Sequence, residues 1–172
     1  VALMTGVHPR DTRVLTNSAP VGEAAPTLAE AYAAAGYVTW SVLSTRHLGE
    51  LSGLGQGFDR VSWPAGSQRP SRETLDVLRP WLDDLDDQPA FVWLHVFDAH
   101  TPYEPPPPYD ALYTDPSRDP YDPALPALSH PEIMAPRGMQ GLRDLDHARA
   151  LYRGEVASLD ANLAEVLDHP RL

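Results

Sequence analysis

Asp98 and His100 stand two positions apart directly after an apolar run, Ala90 to Phe97. A carboxylate and an imidazole so placed can bind a metal, work as an acid–base pair or meet an anion. The plainer alternative is that Asp98 caps a turn and His100 packs under the proline-rich stretch that follows. Arg46 and His47, within Thr45-Arg46-His47-Leu48-Gly49, follow a second strand-like run. They offer a cation and an imidazole to an anionic substrate, or else form a solvated turn. His95 falls inside the apolar run, where a hydrogen-bonded core histidine is the simpler reading. Gly53-Leu54-Gly55-Gln56-Gly57-Phe58 resembles a phosphate cradle at a glance, but it lacks the third glycine spacing and a clear following helix, so it reads as a glycine-rich turn. The Asp83-Asp84 and Asp86-Asp87 pairs read as a solvated helix end, although acid there opposes the dipole. His8, His130, His147 and His169 are isolated and are assigned nothing. The sequence holds no serine nucleophile elbow and no two-histidine zinc spacing.

Those residues sit in a chain of 172 residues and formal charge −11, one ordinary domain by length. All 13 basic residues are arginine. The absence of lysine excludes a lysine Schiff base, a P-loop lysine and a polybasic membrane anchor, and the acidic balance disfavours nucleic-acid binding. Zero cysteines exclude a disulfide framework, a thiolate zinc site and a cysteine nucleophile within these residues. No apolar run approaches the ~18 residues that a membrane span needs. The opening Val1-Ala2-Leu3-Met4 has no leader pattern, and the chain is expected to be an internal piece of a longer sequence.

The elements that must position the candidates follow from local signals. Thr27 and Glu30 have capping-box spacing at the start of an Ala- and Leu-rich helix over 27–35, and Gly36 stands where a left-handed residue ends it. Tyr37 to Leu43 reads as a strand. Ser71 opens a helix reaching about Leu85, which Pro80 is expected to kink or split. Residues 90–97 read as the most buried strand, covered on both faces. Residues 102–140 form a proline-rich loop; 11 of the 19 prolines lie within 102–136, and Tyr103, Tyr109, Tyr113 and Tyr121 predict an ordered loop packed by its rings. Leu142, Leu145, Ala148, Tyr152, Val156, Leu159, Leu163 and Val166 recur at helical steps, predicting an amphipathic helix over 142–167 packed on a sheet face. Two helix-to-strand returns and a long final helix imply an α/β fold, with ligands bound beyond the carboxyl ends of parallel strands.

Five segments in order then resemble one family. They are Leu3-Met4-Thr5-Gly6-x-x-Pro9; Pro26-Thr27-Leu28-Ala29-Glu30 with Ala35-Gly36-Tyr37; Gly55-Gln56-Gly57-Phe58-Asp59; Phe97-Asp98-Ala99-His100-Thr101-Pro102-Tyr103-Glu104-Pro105-Pro106; and Tyr152-x-Gly154-Glu155-Val156-x-x-x-Asp160. Together they resemble the sulfatases of the alkaline phosphatase superfamily across nearly the whole chain.

The resemblance implies an alkaline-phosphatase-like sheet with helices on both faces, incomplete at both ends, of which residues 1–172 are the central portion. It implies hydrolysis of a sulfate monoester, a divalent metal (usually calcium), and a formylglycine nucleophile made from Cys or Ser in a Cys/Ser-x-Pro-Ser-Arg signature. The nucleophile and the metal ligands are expected outside residues 1–172, so the chain alone is expected to be inactive. His100 matches the family's His-x-Pro histidine, which contacts the sulfate or the leaving oxygen. His47 matches the histidine of Lys-x-His-Leu-Gly, which holds the formylglycine diol, with Thr45 in the lysine's place and Arg46 as the candidate anion contact. Thr12-Arg13-Val14 stands where many members have His-Gly-Val. His47 and His100 are expected to share one cleft, with Asp98 turned from the sulfate. Alternatives within the superfamily are a phosphodiesterase or a phosphoethanolamine-type transferase using a Thr or Ser nucleophile and zinc; another is a catalytically dead binding homologue. Family members are often periplasmic, secreted or membrane-associated.

Overall fold

Thr27 starts its helix as its spacing predicts. Its hydroxyl accepts the Glu30 N–H at 3.1 Å, and the Glu30 carboxylate accepts the Thr27 N–H at 2.7 Å, satisfying two of the donors that a helix start leaves open. In the computed structural model, which describes residues 1–17, 19–49, 51–127 and 139–172, the chain forms two units. Val1–Phe97 with Asp168–Leu172 make the first, and Asp98–Leu167 the second.

The first unit begins with two single-turn helices, α1 (Ala2–Thr5) and α2 (Pro9–Thr12), and then α3 (Leu28–Ala34). Gly36 follows α3 at φ +86°, and the chain enters β1 (Val38–Leu43). A short 3₁₀ turn covers Arg46–Leu48, β2 is Arg60–Ser62, α4 is Ser71–Asp83 and β3 is Ala90–His95. All three strands are parallel, in the order β2-β1-β3. The two predicted strands therefore belong to one sheet, with Leu43 opposite His95.

Strand alternation sorts the side chains. Phe91, at an odd position, stacks on Tyr32 of α3 with ring centroids 4.4 Å apart. Trp40, at an even position, meets Trp81 of α4 edge-on at 6.0 Å. Helices α3 and α4 thus cover opposite faces. On the even face α4 buries Leu75, Leu78 and Leu82 completely or nearly so, worth about 1.5–3 kcal/mol each. On the odd face Met4, Val21 and Leu54 form a core with Phe58, Phe91 and Trp93.

Three expectations change. Helix α4 runs unbroken through Pro80; the proline is exposed near the last turn, where the missing hydrogen bond faces solvent, while Leu78 and Leu82 anchor both sides of it. The most buried strand is β1, not 90–97: β1 is buried from Thr39 to Leu43, whereas β3 is half-buried along its length and ends at His95. Among the described residues β1 has a strand on each side and β3 pairs with β1 alone. The aspartates at and after the end of α4 are exposed but engaged, Asp83 with His169 at 3.1 Å and Asp87 with Arg171 at 3.4 Å.

The glycine-rich segment is a buttress. Gly57, at φ +82°, leaves no room for a Cβ, which would lie 2.3 Å from the Glu30 nitrogen. The Thr27 hydroxyl donates to the Gln56 carbonyl at 3.0 Å, and the Thr39 hydroxyl to the Gly57 carbonyl at 2.7 Å. Asp59 accepts the Thr39 N–H at 2.9 Å. Turn, helix start and strand start are thereby locked to one another.

The second unit is built on α5 (Leu145–Leu167). Just before it, the Asp144 carboxylate accepts the Asp146 N–H at 2.9 Å and pairs with Arg118 at 2.7 Å. The proline-rich stretch is ordered in turns, with Asp115, Asp119 and Asp122 each accepting an N–H two residues on. Its ring packing rests on Tyr103, which meets Tyr152 edge-on at 5.7 Å and joins the Met139, Leu142 and Ala148 cluster; Tyr113 and Tyr121 are exposed. The rest of the predicted loop, 128–138, and His130 with it, lies outside the described residues. The buried stripe of α5 also differs from the apolar one. Gly154, Glu155 and Ser158 are buried while Tyr152 and Val156 are exposed, because the helix turns a glycine toward the chain that comes closest to it.

Candidate active site

In the first unit, parallel pairing brings the ends of β1 and β3 together, so the segments leaving them meet at the carboxyl edge of the sheet. Thr45, His47, Leu48 and Ser52 from the first segment line a cavity of about 280 Å³ with His95 and Phe97 from the second. Hydrogen bonds hold the first segment in place: the Arg46 N–H donates to the Ser67 carbonyl at 3.0 Å and the Arg69 N–H to the Ser44 carbonyl at 2.9 Å. The buried Thr45 hydroxyl donates to Ser67 as well, at 3.3 Å. His47 is exposed and reaches the cavity. Arg46 is exposed beside it, donates to the Ala65 carbonyl at 3.5 Å, and is not among the lining residues.

His95 departs from the core reading. Its Nδ1 is buried and makes no hydrogen bond among the described residues, while the residue lines the same cavity as His47. Burial pushes its pKa below the ordinary 6.5, its own backbone carbonyl opposing the shift, so it is a neutral imidazole at neutral pH. Both histidines follow from strand pairing: His95 sits opposite Leu43, and His47 comes four residues after it.

His100 lies in the second unit, at its first residues, and is exposed. Its Nδ1 lies 2.8 Å from the Thr101 carbonyl oxygen. A carbonyl can only accept, so the contact puts a proton on Nδ1 and leaves Nε2 as the atom for chemistry. Asp98 is half-buried on the same segment. The segment is tied to α5 by Glu155, whose carboxylate accepts the Glu104 N–H at 2.7 Å. Glu155 is buried, and burial holds its carboxyl above the ordinary range; the Glu104 N–H opposes this, the Asp98 and Glu104 carboxylates add to it, and His100 opposes it. Sequence reading passed over Glu155 as part of a motif. The signal it carried was a glycine inside a helix, which helix propensity disfavours, next to a charged residue that serves no apolar stripe.

Among the described residues no group of three His, Asp or Glu side chains converges to hold a metal ion. The described residues do not by themselves fit the divalent cation that the resemblance implies. Among the described residues no helix is long and apolar enough to cross a membrane.

Comparison with known proteins accords with this architecture. The family model described as Sulfatase matches residues 1–169. Among solved structures, a phosphonate monoester hydrolase of Agrobacterium radiobacter is similar at 18% identity and TM-score 0.68, over 96% of this chain and 47% of that one. A phosphonate monoester hydrolase from Silicibacter pomeroyi is similar at 16% identity and TM-score 0.67, over 98% and 48%. A protein in the alkaline phosphatase superfamily from Vibrio parahaemolyticus is similar at 15% identity and TM-score 0.52, over 95% and 38%. The chain spans about half the length, or less, of these structures. No curated protein matches it.

Proposed function

The chain belongs to the sulfatase family, and from that premise we propose that it is the central portion of a sulfuric ester hydrolase, with His100 as general acid and His47 as a contact at the nucleophile. In that reading the bond from sulfur to the leaving oxygen breaks, negative charge gathers on that oxygen, and the His100 imidazolium gives it a proton from Nε2. His47, lining the cavity at the carboxyl edge of the sheet, orients the group that attacks sulfur. Arg46, adjacent and exposed, meets the sulfate in place of the lysine for which Thr45 stands. The nucleophile and the metal are supplied from outside residues 1–172.

The observation that carries this reading is family membership over 1–169, joined to a cavity lined by His47 where parallel strands end. The test is turnover of an aryl sulfate, a phosphonate monoester and a phosphate diester by the 172-residue chain and by the protein in which it is embedded. Sulfate ester hydrolysis by the latter alone is expected, and turnover by the isolated chain above a heat-killed control would overturn the division of labour. A second reading, phosphonate monoester or phosphodiester hydrolysis, is favoured by the two phosphonate monoester hydrolases that share the fold; in that case the phosphonate is turned over and the sulfate is not.

A further inference from the structure

Glu155 is a costly residue where it stands. It is 8% exposed, and a buried carboxylate forfeits hydration that only hydrogen bonds can replace. One oxygen is satisfied by the Glu104 N–H at 2.7 Å, a contact spanning 51 positions in sequence. The other, Oε2, is buried and makes no hydrogen bond among the described residues. The neighbouring Gly154 shows how closely the helix lies to the same segment: a Cβ there would stand 2.4 Å from the Tyr109 carbonyl oxygen and 3.0 Å from Pro105 Cγ. Tyr103 against Tyr152 closes the contact one turn away. The segment so clamped, 103–109, follows His100 directly, and the groups whose charge reaches Glu155 are Asp98, Glu104 and His100.

We propose that Glu155 is a positioning residue for His100, fixing the segment that carries it through the Glu104 N–H. This rests on the reading of His100 as the general acid. Gly154 permits the approach, and Glu155 pins it. An imidazole on a proline-rich, non-repetitive segment has no ladder of hydrogen bonds to hold it, so a single buried acceptor on a long helix takes that task.

Hydrogen exchange on the 172-residue chain tests the clamp. In Glu155→Ala the Glu104 amide should exchange at least about tenfold faster while the Trp40 and Val42 amides of β1 keep their protection. In Glu155→Gln, which retains an acceptor, Glu104 should stay protected. Unchanged exchange at Glu104 in the alanine variant overturns the proposal, and if that variant loses protection everywhere, an unprotected Glu104 in a folded glutamine variant overturns it equally. A double-mutant cycle in the active protein tests the link to His100. Glu155→Ala should slow poor leaving groups more than good ones, in the sense of His100→Ala, Glu155→Gln should restore the rate, and the double variant Glu155→Ala/His100→Ala should be no slower than His100→Ala alone. Additive losses, independent of the leaving group, overturn the link. Should His100→Ala itself leave turnover unchanged, the functional reading fails, and exchange at Glu104 still decides whether Glu155 holds the segment.

Discussion

The cavity of the first unit and the His100 segment of the second are positioned by different means. His47 and His95 come together because β1 and β3 pair in parallel, Val38 to Leu43 against Ala90 to His95. That ladder repeats, and its register does the positioning, so no single side chain is decisive. His100 has no ladder. A stretch rich in proline lacks backbone donors, and it is held by particular contacts: Glu155 to Glu104, Gly154 beneath Tyr109, Tyr103 against Tyr152. Regular structure spreads the task of placing a residue over many bonds, whereas an irregular segment concentrates it in a few, which makes it easier to break by one substitution.

The largest effect expected is on chemistry. In the active protein, His100→Ala should lower kcat and kcat/KM together by about 10²–10⁴-fold, most for substrates with poor leaving groups. A change in KM alone would make His100 a binding group. His47→Ala should also impair turnover, but without dependence on the leaving group, because it is not the proton donor in this reading.

The next contrast is in packing. Gly154→Ala places a methyl group 2.4 Å from the Tyr109 oxygen and should destabilise the second unit by about 1–3 kcal/mol. Hydrogen exchange should show the loss in residues 103–109 and on α5 while β1 keeps its protection. Gly57→Ala is the counterpart in the first unit, strained both by φ +82° and by the Glu30 nitrogen at 2.3 Å. Denaturant melts should show a loss of similar size, with exchange rising at α3 and the start of β1 instead. A Gly154 variant that loosens β1 as much as 103–109 would show that the clamp is not local.

A smaller loss is expected at the capping box. Thr27→Ala removes the acceptor for the Glu30 N–H and the link to Gln56, and should cost about 1 kcal/mol in a urea melt.

The smallest effects are on pH dependence, and they have opposite signs in the two units. The folded state depresses the His95 pKa below 6.5, so the unfolded chain binds the proton more readily. The stability that neutral His95 contributes is present above 6.5 and lost as pH falls below it. Glu155 is raised above the ordinary 4.5, so the folded chain binds that proton more readily, and stability is lost as pH rises from there through the folded value. Melting temperature against pH should flatten just below 6.5 in His95→Gln and just above 4.5 in Glu155→Gln. Parallel curves for variant and wild type would remove the residue concerned as the source.

Local sequence was enough for whatever short-range physics decides. The Thr27–Glu30 box, the left-handed Gly36, the strand over Val38–Leu43 and the parallel α/β class were all legible, because capping geometry and side-chain periodicity operate within a few residues. The five motif segments were equally legible as a resemblance, and the family match over 1–169 agrees with it. Other features depended on which surface each element meets. The sequence of Ala90–Phe97 is more uniformly apolar than that of β1, yet β1 is the buried strand because it lies between two others. Pro80 breaks helices by propensity, yet buried leucines on both sides of it keep α4 whole. His95 reads as core from its neighbours, and only pairing with Leu43 brings it to the cavity beside His47. On α5 the apolar stripe pointed to Tyr152 and Val156, while close approach of residues 104–109 selected Gly154 and Glu155. A partner 51 positions away leaves no trace in a local pattern, because hydrophobic periodicity records how a helix is buried on average and not the one contact at which a backbone comes too near for a side chain.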